Sequence, residues 1–88
     1  MQSCGTGTGY RRDGFCSLHE GDAGRHTVCA TLSDEFLAFT RERGNDLRGL
    51  QAGDRWCLCE SRYEEAKSHN VAPAVHPAAS AYAALREG

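Results

Sequence analysis

Two short patterns in this chain could do chemistry: Cys57-Leu58-Cys59, and His26 three residues before Cys29. On a β-strand, residues two apart project to one face, so the sulfurs of Cys57 and Cys59 can reach a common ion. If the strand holding Cys29 shares their sheet, then His26, Cys29, Cys57 and Cys59 make a tetrahedral set. Thiolate and imidazole ligands in that number suit zinc, or iron in some settings. The Cys-x-x-Cys spacing usual in structural zinc sites does not occur, which weakens the metal reading. A second reading makes Cys16 or Cys29 a thiolate nucleophile, with His26 as its base and Asp22 orienting the imidazole. The leading reading is plainer. Free cysteines are among the most buried residue types, Asp22 suits a turn, and His26 suits a backbone hydrogen bond where a strand begins.

The cysteine count is the anomaly of composition. Five cysteines are an odd number, so at least one thiol stays free if the others pair. Met1-Gln2-Ser3-Cys4-Gly5 shows no basic stretch followed by an apolar one, so no secretory signal is expected and the cytoplasm is the expected location. Stable disulfides are unusual there. In an oxidising compartment, a two-disulfide scaffold is the competing arrangement.

Length and charge narrow the field further. The 88 residues suffice for a single domain spanning 1–88. A chain of this size buries only about 60–65% of its unfolded surface, enough for one core but not for a deep enclosed pocket. Apolar runs are too short to cross a bilayer. The net charge is -2 with both signs interspersed, and Arg11-Arg12 is followed at once by Asp13, so neither a nucleic-acid nor a membrane partner is expected.

The elements that would position these residues follow from pattern. Most of the glycines lie before residue 27, and Gly5-Thr6-Gly7-Thr8-Gly9 reads as loop, without the strand, helix or lysine of a phosphate cradle. Thr27–Leu32 alternates and is β-branched, which predicts a strand with Val28, Ala30 and Leu32 on one face and Cys29 on the other. Ser33 is placed to cap a helix with Asp34 and Glu35 in its first turn, Leu32 and Leu37 stapling it, and Gly44 ending it. Residues 45–54 read as a connection, and Asn45, Asp46, Asp54 and the adjoining Arg55 serve structure. Residues 55–61 form a second strand with Trp56 and Leu58 pointing one way and Cys57 and Cys59 the other. A second helix over about 62–69 has His69 at its end, and 71–75 is extended around Pro73. His76 is expected in an exposed loop. Pro77 can open a last, alanine-rich helix through Tyr82 and Leu85.

Several strings resemble a family of small conserved bacterial proteins known only as a domain of unknown function. They include 8–16, Asp22-Ala23-Gly24-Arg25-His26-Thr27-Val28-Cys29-Ala30, Asp34–Phe39, Gly44–Leu47, Val71–Pro73 and, most specific, Gly53-Asp54-Arg55-Trp56-Cys57-Leu58-Cys59. Relative to that family the chain lacks a proline-rich aromatic insertion between Leu47 and Gly49, and Ala81 stands where a histidine is expected. The resemblance implies fold and boundaries but no activity.

The expected fold is therefore α+β: a small, mostly antiparallel sheet with two or three short helices and a glycine-rich N-terminal loop. The 33–43 helix should cover one sheet face, and the cysteines should lie on the other under the N-terminal segment. Three functional classes are open. A non-catalytic accessory or binding module acting through a protein partner leads, followed by a zinc- or iron-binding protein and a thiol-dependent enzyme or redox protein.

Overall fold

The structure, a computed structural model, describes residues 1–47 and 49–85. The shortened connection expected between Leu47 and Gly49 turns on Arg48, which lies outside the described residues. The chain is α+β. Among the described residues, β1 (His26–Thr31), α1 (Asp34–Glu42), β2 (Arg55–Cys59), α2 (Glu60–Ser68) and β3 (Ala74–Val75) follow in order, then two 3-10 turns at Pro77–Ala79 and Ala83–Leu85.

The three strands form one antiparallel sheet in the order β2-β1-β3. Its register sets Val28 opposite Leu58, Cys29 opposite Cys57 and Ala30 opposite Trp56. Because side chains alternate across a strand, this register sorts the interior into two clusters. On one face Val28, Ala30 and Leu58 pack with Leu32, Phe36, Tyr63 and Ala66. On the other, Cys29 and Cys57 pack with Cys4, Cys16 and Ala79. The cover on the first face differs from expectation. It is α2 that rests on β1 and β2, while α1 packs against α2 and sends Phe36 into the shared core.

Helix α1 begins and ends as its sequence dictates. Ser33 Oγ accepts the Phe36 N–H at 3.1 Å, and Gly44 takes the left-handed φ of +86° that an L side chain resists. The second strand stops two residues earlier than its pattern suggests: Cys59 is still extended, and α2 starts at the next residue.

The alanine-rich helix after Pro77 does not form. Ser80 is extended and interrupts it, because its hydroxyl accepts the Cys29 N–H at 2.8 Å and donates to the His76 carbonyl at 2.8 Å. The Ala81 N–H goes to the Thr27 carbonyl at 3.0 Å. Backbone donors spent on β1 are lost to a helical ladder. His76 is likewise no exposed loop residue: it is half-buried, and Nε2 lies 2.7 Å from Thr31 Oγ1.

Two disulfides, Cys4–Cys29 and Cys16–Cys57, tie the N-terminal loop to β1 and β2. This is the competing two-disulfide scaffold named from the cysteine count. Cross-links of this sort suit a chain whose core is small. Around them the loop is held by backbone bonds, among them Cys4 N–H to Gly14 O at 2.7 Å and Gly14 N–H to Thr8 O at 2.9 Å.

Candidate functional site

Cys59 is the cysteine left free among the described residues. It lies at the junction where β2 becomes α2, at the N-cap position of the helix. An N-cap side chain normally accepts from the first turn. Here no side chain caps the helix, and Cys59 Sγ instead lies 3.1 Å from His26 Nε2.

His26 reaches that position through an irregularity in β1. It pairs with Cys59 while Val28 pairs with Leu58, so the register slips by one residue between His26 and Val28. In an unbroken ladder Thr27 would face Cys59. A bulge of this kind re-aims a side chain, and here the side chain is the imidazole. Arg25, just before the strand, holds a left-handed φ of +52°, a conformation costly for an arginine unless its surroundings enforce it. They do. The Arg25 carbonyl accepts from Thr27 N–H at 2.8 Å and Glu60 N–H at 3.1 Å, and its guanidinium pairs with Glu60 at 2.8 Å. The first turn of α2 therefore fixes the loop that presents His26.

Asp22 completes the line. Its Oδ1 is 2.7 Å from His26 Nδ1, and its Oδ2 accepts the His26 backbone N–H at 2.8 Å. The aspartate side chain is 1% exposed and the histidine 35%. An ionised carboxylate can only accept, so the neutral imidazole carries its proton on Nδ1 and turns the Nε2 lone pair toward Cys59. Burial alone would raise the Asp22 pKa. Hydrogen bonds from the His26 backbone and ring, the charge of His26 and the Gly24 N–H together bring it below the ordinary 3.8. For Cys59 the balance goes the other way: half-burial and then the Asp22 carboxylate push the thiol above its ordinary 9.0, against the pull of Arg62 and a backbone hydrogen bond. At neutral pH the sulfur is thus a thiol, 3.1 Å from the imidazole nitrogen.

Space beside the pair is kept by Gly24. A Cβ there would stand 2.7 Å from His26 Cε1 and 3.3 Å from Cys59 Sγ. Two shallow depressions border His26. One of about 260 Å³ lies along Tyr10, Arg12 and Trp56; the other, about 60 Å³, lies along Asn45, Trp56, Cys59 and Arg62. Trp56 is half-buried, packed on the core, with the Arg12 guanidinium 4.9 Å from its ring centre.

The structure thus brings Asp22 and His26 together as the sequence suggested but gives them a different sulfur. Cys16 and Cys29, the candidate nucleophiles, are consumed in disulfides and carry no thiol. The metal set of His26, Cys29, Cys57 and Cys59 is broken for the same reason, since Cys29 and Cys57 have no thiolate to offer an ion. A different group of sulfurs is close instead: Sγ of Cys4, Cys16 and Cys57 all lie within 4.8 Å of one another. Sequence reasoning grouped Cys59 with His26 as metal ligands but missed it as the thiol beside the Asp22–His26 pair, because it placed the residue within a continuing strand. The odd cysteine count was the signal that one thiol would remain.

A family model built on uncharacterized proteins conserved in bacteria matches residues 1–87. The chain belongs to this family, DUF2237. No curated protein matches it. The DUF2237 match takes in Asp22, His26, Cys59 and both disulfides, so the whole candidate site lies within the family's domain.

Proposed function

We propose that this chain is a thiol-dependent acyl-transfer enzyme, with Cys59 as nucleophile, His26 as proton carrier and Asp22 as the group that orients the imidazole. The observation that carries the reading is the continuous line from Cys59 Sγ to His26 Nε2 at 3.1 Å and from His26 Nδ1 to Asp22 Oδ1 at 2.7 Å. Nucleophile, base and orienting group at these separations are what covalent catalysis by a thiol needs.

In the first half-reaction His26 Nε2 takes the thiol proton as Sγ attacks the acyl carbon. A thioester forms, the bond to the leaving group breaks, and the leaving group departs with that proton. In the second, an acyl acceptor, water in the simplest case, gives a proton to Nε2 and attacks the thioester. The acyl product leaves and the sulfur regains its proton from His26. The Ser61 and Arg62 amides lie in the first turn of the helix that starts beside Cys59 and that no side chain caps, and such amides, with the positive end of the helix dipole, suit the stabilisation of an oxyanion.

The depression that Cys59 lines, about 60 Å³, and the one of about 260 Å³ next to it at His26 are too small to enclose a sizeable substrate. This supports an acyl group presented by a larger molecule, a protein partner in this reading and not a nucleic acid or a membrane. No helix among the described residues is long and apolar enough to cross a membrane. We place the chain in the cytoplasm, where the four disulfide cysteines would be reduced for much of the time.

The test uses p-nitrophenyl acetate on the oxidised protein, with released p-nitrophenolate and protein mass both followed. The expected result is a burst of one equivalent, one acetyl group on Cys59, and acylation slowed on the order of a hundredfold or more in His26→Ala. A chain acetylated no faster than when unfolded in urea, or equally fast without His26, would leave the non-catalytic binding module as the better account.

A further inference from the structure

The two disulfides are packed against each other. Sγ of Cys4, Cys16 and Cys57 lie within 4.8 Å of one another. The fourth sulfur belongs to Cys29, which is bonded to Cys4 and faces Cys57 directly across β1 and β2. All four cysteines are buried, with Ala79 closing the cluster. The sulfurs come from separate pieces of chain, two from the N-terminal loop and one from each of two neighbouring strands. Sulfurs around a tetrahedral zinc stand about 3.8 Å apart, as a Zn–S bond of about 2.3 Å requires. The sulfurs of Cys4, Cys16 and Cys57 come within about 1 Å of that spacing, and the Cys29 sulfur, bonded to that of Cys4, is free to move to it once the bond is reduced.

We infer that, once reduced, Cys4, Cys16, Cys29 and Cys57 form a tetrathiolate centre for a zinc-class divalent cation. The set excludes both His26 and Cys59, which are engaged with each other. It goes beyond the acyl-transfer reading and does not depend on it.

The cross-links hold the N-terminal segment to the sheet. Among the described residues, 1–25 contribute no helix or strand of the sheet, and the covalent ties from this segment to the sheet are the two disulfides. Reduction without replacement would leave four thiols in an apolar cluster and the segment held by non-covalent contacts, such as the Cys16–Ser80 bridge, the Arg25–Glu60 pair and the Arg12–Trp56 contact. A metal ion bonded to the same four sulfurs restores a cross-link between the same chain positions, so one fold can be stapled in an oxidising or a reducing setting. The chemistry balances. Each disulfide takes two electrons and two protons from a cellular dithiol, which becomes a disulfide itself. Metal binding then forms four metal–sulfur bonds and releases the four thiol protons.

The test compares oxidised protein with protein reduced by a trialkylphosphine, each titrated with cobalt(II) and then zinc in the absence of chelators. The reduced chain should take up one cobalt, with the intense near-ultraviolet thiolate-to-metal band and the visible bands of tetrahedral coordination. Zinc should displace the cobalt and raise the Tm of the reduced chain, and the oxidised chain should bind neither. Cys59→Ser and His26→Ala should bind as the parent does, whereas Cys16→Ser should lose most of the affinity. The inference is overturned if the reduced parent binds no cobalt, if the oxidised chain binds it as well, or if Cys59→Ser or His26→Ala abolishes binding. Acylation is measured on the oxidised protein, so failure here leaves the Cys59 reading standing, and the converse holds too.

Discussion

Gly24 packs its bare Cα against the imidazole of His26, so closely that an added Cβ would come to 2.7 Å of Cε1 and 3.3 Å of Cys59 Sγ. Contacts under 3 Å are not tolerated, and the ring is easier to move than the Asp22–Arg25 turn that carries Gly24, which is closed by an N–H to O bond of 3.1 Å. Gly24→Ala should therefore leave the fold intact while turning His26 away from Cys59. Acylation of Cys59 should fall about as far as in His26→Ala. Unchanged acylation in a folded Gly24→Ala protein would show that the 3.1 Å contact between Cys59 and His26 is not used.

Asp22→Asn separates thiol acidity from catalysis. Half-burial, followed by the Asp22 carboxylate, raises the Cys59 pKa. In the parent, the rate of iodoacetamide alkylation should thus still be climbing at pH 9, the ordinary thiol value. Removing the Asp22 charge takes away one upward push, so the alkylation profile should move to lower pH. Acylation should nevertheless slow by about tenfold or more, because the Nδ1 proton loses the acceptor that fixes the tautomer. If acidity and acylation rise together, Asp22 does not orient His26.

The same carboxylate links stability to acid. Burial works against its ionisation but is outweighed by the hydrogen bonds and charge of His26, so the folded-state pKa is depressed below 3.8. A depressed carboxyl contributes stability that is fully present above the unfolded pKa and lost as pH falls through the folded one. Urea midpoints of the parent should henceforth drop more steeply below about pH 4 than those of Asp22→Asn. Parallel curves for the two proteins over that range would count against the His26–Asp22 pair.

Ser80→Ala should destabilise the fold without touching the site. The Ser80 hydroxyl accepts the Cys29 N–H at 2.8 Å, and both residues are buried. Deleting it leaves a buried amide unpaired, at a cost of about 1–3 kcal/mol. Denaturant unfolding measures the loss, and a change under about 0.5 kcal/mol would mean that the amide finds another partner.

Metal-free reduction should cost far more. The disulfides close separations of 25 and 41 residues, and loss of a native disulfide from a small domain costs about 2–5 kcal/mol. Cys16→Ser, which removes one bond, should lower the unfolding free energy by that amount in oxidised protein. An unaltered midpoint would show that the N-terminal loop holds to the sheet without it.

Much of the fold was legible because local pattern and tertiary demand agree. The alternation in Thr27-Val28-Cys29-Ala30-Thr31-Leu32 sent Val28 and Ala30 to one face and Cys29 to the other, and the sheet has that sorting. Ser33 and Gly44 marked the bounds of α1 because a side-chain acceptor and a left-handed residue are local needs of a helix. The stretch after Pro77 misled for the opposite reason. Its alanines favour helix, but Ser80 and Ala81 hand their hydrogen bonds to residues some fifty positions earlier.

By itself the sequence determined that a strand, a capped helix, a second strand and a second helix follow one another, that Val28, Ala30 and Leu58 lie on the face opposite Cys29 and Cys57, and that an odd cysteine would remain. It also named Asp22 and His26 as a pair, since four residues is a span that a turn can close. Only the tertiary structure decided which sulfur they serve. That choice depends on a one-residue slip between His26 and Val28, on Glu60 holding Arg25 in a left-handed conformation, and on disulfides that use up the other four cysteines. Each of these joins residues at least 25 positions apart or turns on such a contact, and no local pattern of side chains encodes which distant partners a strand will meet.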